Sequence, residues 1–238
     1  MSQIQQQHAP TMKIGVLQAG QLSPPLNAFG DYAGMFRDLF ARTAPTAQVR
    51  KYEVTLGDFP TEPSECDIWL ITGSAHGVHD GFDWLARLEE FVAALHADKR
   101  KTIGVCFGHQ LIAKVCGGEV ERAKGGWCAG VTRYSGHFAD DAWLIASHQD
   151  QVVRMPEGAR LELTSKSCGI AGFTLGTHMI TVQAHPEFNA DFARALFEVR
   201  REALGEALYH EAIHHLDRTT TRFAVTEQLL AFLGVPTA

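Results

Sequence analysis

The chain has 238 residues, 45% of them hydrophobic and 20% charged, with a formal net charge of −6. That length suits one α/β domain with a full core, and the acidic balance offers no basic face to nucleic acid or anionic lipid. No apolar run approaches the roughly 20 residues of a membrane span.

Five scattered cysteines (Cys66, Cys106, Cys116, Cys128, Cys168) include no C-x-x-C pair. They suggest neither a disulfide framework nor a cysteine zinc site, so a reducing, cytoplasmic compartment is expected. Residues 1–11 are polar and Gln-rich, without the basic and apolar regions of a signal peptide, and predict a disordered tail.

Residues 12–17 form a short apolar strand. Helical spacing of Tyr32, Met35, Phe36, Leu39 and Phe40 predicts a helix over 29–41, and 49–54 reads as the next strand. Residues 67–72 are almost continuously apolar, as expected of a parallel strand buried on both faces. Residues 73–80 are a loop. Trp84, Leu85, Leu88, Phe91, Val92 and Leu95 then repeat on one helical face, with Lys99-Arg100-Lys101 as a solvated helix end.

The next strand, Thr102-Ile103-Gly104-Val105, runs into Cys106-Phe107-Gly108-His109-Gln110 and then an amphipathic stretch. Strand, tight turn and helix with a thiol at the corner lift the sulfur above the sheet edge. The positive end of the helix dipole there favours thiolate over thiol, which makes Cys106 a candidate nucleophile.

Alternation of strand and helix predicts a mostly parallel sheet with helices on both faces. Beyond residue 118 the pattern changes to short strand-like runs at 131–134, 142–146, 161–164, 169–175 and 179–183, which predict an antiparallel extension. Apolar spacing marks a further helix over 188–203, and Thr219-Thr220-Thr221 is placed to cap a last helix through 233. The expected organisation is a tail at 1–11, one domain at 12–204 and a helical extension at 205–238 packed on it.

A cysteine nucleophile needs a base and an acceptor that orients the base. Both occur in Gln183-Ala184-His185-Pro186-Glu187, between a predicted strand and a predicted helix. Parallel strands end on one sheet edge, so Cys106 and His185 can meet there. The expected roles are Cys106 as nucleophile, His185 as base and then acid, and Glu187 as the group that holds the imidazole tautomer.

Other reactive residue types read more simply. Cys66, Cys116, Cys128 and Cys168 are expected to be packing residues, and His109 a structural one. His148 reads equally well as a substrate-loop residue and as a surface residue. His210-Glu211-Ala212-Ile213-His214 spells a zinc-protease pattern, but it is short and without an obvious third ligand downstream. A solvated helix is the expectation there, and no metal site is assigned. Gly125-Gly126 does not follow a strand in a βαβ unit and is no nucleotide fingerprint.

Cys106-Phe107-Gly108-His109-Gln110 together with His185-Pro186-Glu187 resembles the class I, triad-type glutamine amidotransferases, and most closely their GMP-synthetase-like branch, here standing alone. The resemblance spans roughly residues 12–200. Thr72-Gly73-Ser74 resembles the family's oxyanion loop, usually Gly-Gly-Pro. Val78 and Asp80 continue that loop as in the branch, and Ser147-His148-Gln149-Asp150-Gln151-Val152 resembles its Ser-His-x-Asp-x-Val segment.

The resemblance implies a three-layer α/β/α, flavodoxin-like fold. It implies backbone oxyanion donors at Gly73 and Phe107, and substrate contacts at Gln110, His148, Gln149 and Asp150. No cofactor or metal is implied. The implied reaction is release of ammonia from the glutamine side chain through a γ-glutamyl thioester on Cys106. No synthetase domain follows residue 200. Either a separate ammonia-accepting synthetase exists, or the protein hydrolyses a γ-glutamyl peptide or conjugate. A non-catalytic binding or redox-sensing protein on this scaffold is a third reading.

Overall fold

The computed structural model describes residues 11–237; the expected tail at 1–11 lies outside them except for Thr11. The first half is a run of βα units: β1 (Lys13–Leu17), α1 (Tyr32–Thr43), β2 (Gln48–Tyr52), β3 (Ile68–Ile71), α2 (Asp83–Ala97), β4 (Lys101–Val105) and α3 (Phe107–Val115). Seven strands follow: β5 (Glu119–Arg122), β6 (Cys128–Ser135), β7 (Ala142–His148), β8 (Asp150–Arg154), β9 (Ala159–Ser165), β10 (Gly172–Leu175) and β11 (Met179–Val182). Helices α4 (Ala190–Val199), α5 (Arg201–Leu204), α6 (Glu206–His214) and α7 (Arg222–Phe232) close the chain.

Nine strands make one sheet in the order β2-β1-β3-β4-β11-β10-β9-β6-β7. The first five are mutually parallel and the last four continue antiparallel. The last strand of the sequence, β11, therefore returns to the middle of the sheet and pairs with β4, Val182 opposite Val105.

Side chains on the central strands alternate between two cores, as a period of two requires. Ile68 and Leu70 point to the face covered by α1 and α7, where Phe36, Phe40, Leu229 and Leu230 are buried. Trp69 and Ile71 point to the other face, against Leu88 and Val92 of α2 and Leu111 and Ile112 of α3. Each such side chain contributes about 1.5–3 kcal/mol on burial. A third cluster joins α4 and α6 around Phe188, Phe192 and Tyr209. No helix among the described residues is long and apolar enough to cross a membrane.

The structure departs from expectation at several boundaries. Helix α1 starts at Tyr32, because the Asp31 side chain accepts from the Gly34 N–H at 2.6 Å and caps it; a 3-10 turn occupies Pro24–Phe29. Arg100 is not a free helix end: it donates to the Cys66 carbonyl at 2.7 Å, and Lys101 already belongs to β4. Strands β5 and β8 form a separate two-stranded sheet that hydropathy does not announce, since both are short and bury a single side chain each. The helix expected over 188–203 is broken at Arg200 into α4 and α5. Thr221 stands at the N-cap of α7, but its hydroxyl accepts from the Trp143 N–H of β7 at 2.9 Å rather than capping the helix.

The turn between β4 and α3 needs small residues on both sides of Cys106. A Cβ on Gly104 would meet the Gly108 carbonyl oxygen at 2.7 Å, and one on Gly108 would meet the Ile71 carbonyl oxygen at 2.4 Å. Helix α3 thus lies directly on β3 and β4. Gly108→Ala forces β3 and α3 apart, with an expected loss of about 1–3 kcal/mol of stability by urea unfolding.

Candidate active site

Cys106 occupies a backbone conformation of φ 51° and ψ −100°, one of two non-glycine residues with positive φ among those described. That strain holds because both flanks are over-determined: the Cys106 N–H donates to the Val182 carbonyl at 2.9 Å, and its carbonyl accepts from the Gln110 N–H at 3.1 Å in the first turn of α3.

Val182 brings the imidazole to the same edge. Gln183 N–H donates to the Ala171 carbonyl at 2.7 Å and His185 N–H to the Ile145 carbonyl at 2.9 Å, which fixes the chain just beyond β11. The His185 ring is buried beside Cys106, both lying against Gly73, and Gln183 Nε2 donates to the Cys106 sulfur at 3.5 Å. His185 Nδ1 lies 2.8 Å from Glu187 Oε1, and one face of the ring stacks on Phe188 at 3.9 Å between centroids with planes 3° apart. Burial opposes charge on His185, but the adjacent sulfur and carboxylate outweigh it and raise its pKa. The backbone of Glu187 is held from the C-terminal segment, since Arg222 Nη1 donates to its carbonyl at 3.2 Å.

Gly73 touches both partners. A Cβ at this position would stand 2.8 Å from His185 Cε1 and 3.7 Å from Cys106 Cβ, so only glycine lets this backbone approach. The Thr72 hydroxyl accepts from the Ala19 N–H at 3.0 Å and donates to the Gly73 carbonyl at 2.9 Å. A threonine in place of the usual first glycine therefore ties the loop to the end of β1. The Phe107 N–H, in the first turn of α3, has no intrahelical acceptor.

A cavity of about 170 Å³ opens over the sulfur. Its walls are Ser74–Gly77 with Phe107 and Gln110, Ser147–Asp150, and Trp127 with Arg200. Gln110, His148, Gln149 and Asp150 all reach it, but their polar atoms differ in availability. Gln110 Nε2 donates to the Asp150 carbonyl at 2.7 Å and to Gln183 Oε1 at 3.2 Å. Gln149 Oε1 is taken by Arg122. His148 is buried, and its Nδ1 lies 3.3 Å from the Asp150 carbonyl. Burial and the nearby His185 hold His148 down to about 4, so it is neutral at pH 7.

His109 points away from the sulfur into the core, with Nδ1 2.8 Å from Thr181 Oγ1 and Nε2 3.1 Å from the Ile170 carbonyl. Burial depresses it to about 3. His210, Glu211 and His214 lie exposed on α6, and His210 reaches Glu206 at 3.3 Å. The described residues contain no cluster of three or more metal-ligating side chains placed to hold an ion. Residues missed in the sequence are Phe188, Trp127, Ser147 as a side chain, and Arg200. Phe188 follows Glu187 directly, but its helical spacing marks it as a core residue instead.

A family model described as glutamine amidotransferase class-I matches residues 39–197. The chain belongs to the class I glutamine amidotransferase family. Gamma-glutamyl peptidase 3 of Arabidopsis thaliana is 30% identical over 218 residues, covering 85% of this chain and 86% of that protein. A glutamine-hydrolyzing GMP synthase component of Sulfolobus acidocaldarius is 29% identical over 167 residues, covering 66% of this chain and 86% of its own. A glutamine amidotransferase from Thermotoga maritima superposes with a TM-score of 0.77 at 18% identity, covering 94% of this chain and 98% of its own. One from Methylobacillus flagellatus superposes at 0.76 and 22%, covering 96% of each. These neighbours share the flavodoxin-like, mostly parallel fold with its antiparallel extension.

A sulfur, a buried imidazole and a carboxylate in line can carry acyl transfer through a covalent intermediate. The neutral histidines beside this site contribute to the acid limb of stability. His109 and His148 take up protons in the unfolded chain near pH 6.5 but resist them when folded. Their contribution is complete above pH 6.5 and declines as pH falls toward about 3. His109→Gln is expected to flatten the stability–pH curve over that window, read from urea midpoints at successive pH values.

Proposed function

We propose that the chain is a cysteine-dependent hydrolase of γ-glutamyl amide bonds, with γ-glutamyl peptides or conjugates as substrates ahead of free glutamine. The likeness to gamma-glutamyl peptidase 3 carries this reading, because it extends over 85% of the chain whereas that to the Sulfolobus GMP synthase component extends over 66%.

In this reading residues 12–204 are the catalytic domain and 205–238 an extension that buttresses it. Cys106 thiolate attacks the γ-carbonyl carbon. The tetrahedral oxyanion is held by the N–H groups of Gly73 and Phe107, each worth about 3 kcal/mol in comparable sites. His185, kept charged by the sulfur and by Glu187, gives its proton to the leaving nitrogen, and the C–N bond breaks. The amine departs and a γ-glutamyl thioester remains on Cys106. His185, now neutral, takes a proton from water, which attacks the thioester. Glutamate leaves with expulsion of the Cys106 thiolate, and the thiolate and the His185 imidazolium are restored as an ion pair. Gln110, His148, Gln149 and Asp150 shape the γ-glutamyl side of the cavity, mainly through the backbone of 148–150.

The likeness to the GMP synthase component favours a second reading, in which glutamine is the donor and a separate synthetase takes the ammonia. Glutamate release separates the two. Wild type is expected to release glutamate from γ-glutamyl-glycine faster than from glutamine; turnover of glutamine alone rejects the hydrolase reading. Cys106→Ala is expected to bring both rates to background, and Glu187→Gln to lower kcat roughly 10²- to 10⁴-fold through a misoriented imidazole.

A further inference from the structure

Among the described residues, the cavity over Cys106 is lined by one arginine, Arg200, and one carboxylate, Asp150, with no lysine or glutamate. The two stand at opposite ends of the wall segment Ser147–Asp150. Arg200 is held at the first end: Nη1 donates to Ser147 Oγ at 2.6 Å and to the Ser147 carbonyl at 3.3 Å. Its guanidinium lies over Trp127, 5.2 Å from the ring centroid. Asp150 closes the segment and faces the loop across the cavity, where a Cβ on Gly77 would stand 3.5 Å from Asp150 Oδ2.

Neither charge is answered within the described residues. Arg200 Nε and Nη2 make no hydrogen bond there, and no carboxylate, Asp150 included, lies within 4.0 Å of the guanidinium. The Asp150 carboxylate accepts no hydrogen bond there; its bonds to Gln110 and His148 use its main-chain carbonyl. Arg133, Arg154 and Arg201, by contrast, are each paired with a carboxylate on the surface.

The neutral amides of the wall are already engaged. Gln110 Nε2 donates to the Asp150 carbonyl and to Gln183 Oε1, and Gln149 Oε1 is taken by Arg122. The cavity therefore offers a ligand two unpaired, opposite charges. A guanidinium is planar, always charged, and presents parallel N–H groups to a carboxylate. Stacking on tryptophan and the anchor to Ser147 remove much of the side-chain freedom that binding would otherwise have to quench. The α-carbon of a γ-glutamyl group carries one carboxylate and one ammonium, at the end remote from the bond that the sulfur attacks.

We propose that Arg200 binds the α-carboxylate of the γ-glutamyl group and Asp150 its α-ammonium, so that the substrates are γ-glutamyl compounds whose α-amino and α-carboxyl groups are both free. This rests on the reading above in which the γ-glutamyl group fills this cavity, and it holds whichever amine leaves. N-acylated and α-amidated γ-glutamyl compounds are excluded by it.

The test measures dissociation constants by titration calorimetry in a Cys106→Ala background, where no ligand is consumed. γ-Glutamyl-glycine carries both head-group charges, glutaryl-glycine only the carboxylate and 4-aminobutanoyl-glycine only the ammonium. The glycine carboxylate is common to all three. Arg200→Gln keeps an amide to meet Ser147 but no charge. It is expected to weaken γ-glutamyl-glycine and glutaryl-glycine by about 10- to 100-fold, the scale of a lost hydrogen-bonded charge contact, and 4-aminobutanoyl-glycine far less. Arg200→Lys retains part of the affinity. Asp150→Asn is expected to weaken γ-glutamyl-glycine and 4-aminobutanoyl-glycine and to spare glutaryl-glycine. An equal loss on all three ligands in either variant assigns that residue to cavity shape or to the glycine carboxylate and overturns the proposal. Unchanged affinities overturn it as well. Glutamate release by the Cys106 enzyme judges the hydrolase reading separately. If glutamine alone is turned over, that reading falls, and a loss of glutamine affinity in Arg200→Gln still upholds the α-carboxylate contact. Failure of both γ-glutamyl-glycine and glutamine to bind removes the two together.

Discussion

The parallel pairing of β4 with β11 is the constraint on which the site depends. It sets Val105 against Val182, and the first residue past β4 donates its N–H back to Val182. Cys106 and His185 then leave the sheet from adjacent strand ends, although much of the chain separates them. Strands β5 to β10 are made and paired between those two events, in a long antiparallel excursion. Its return is fixed by apolar side chains on both faces of β11, all buried. A slip of one residue there would turn those side chains to the opposite face and carry the imidazole away from the sulfur.

The charge state of the site follows from unequal environments around chemically similar groups. Three buried histidines lie within or beside the cavity wall. His109 meets a hydroxyl and a carbonyl, His148 a carbonyl, and both are held neutral by burial. His185 alone faces a sulfur and a carboxylate, and is the one driven toward the cation. Burial is common to the three, so the partner decides the outcome. Glu187 Oε2 is buried without a hydrogen-bond partner, which leaves its whole bonding capacity within the protein directed through Oε1 at the imidazole.

Local chemistry was legible in the sequence where it depends on neighbours in the chain. The elbow around Cys106 declares itself because glycine two places before and after is required by backbone contacts with β3 and α3. His185 and Glu187 are two residues apart and bond directly, so their relation is also local. The parallel character of the first strands followed from alternating helix and strand, but their order did not, and residues 179–183, expected in the antiparallel extension, run parallel to β4 as β11. Strands β5 and β8 escaped notice because each is short, carries charges and buries a single side chain, so no hydrophobic period marks it. Arg200 escaped for a different reason. Its partners Trp127 and Ser147 sit on and before distant strands, and an arginine after an amphipathic helix looks like an ordinary dipole-complementing end.

Arg222 grips the carbonyl of Glu187 from α7, while Thr221, one residue earlier, secures β7 through Trp143. Both lie well outside the span common to the family. The Glu187 backbone is therefore braced from a part of the polypeptide that the family model does not reach. Residues 39–197 alone carry Cys106, His185 and Glu187 yet omit the prop behind the carboxylate. A change in this appendix consequently reaches the backbone of Glu187 while leaving the side chains of Cys106, His185 and Glu187 as they are.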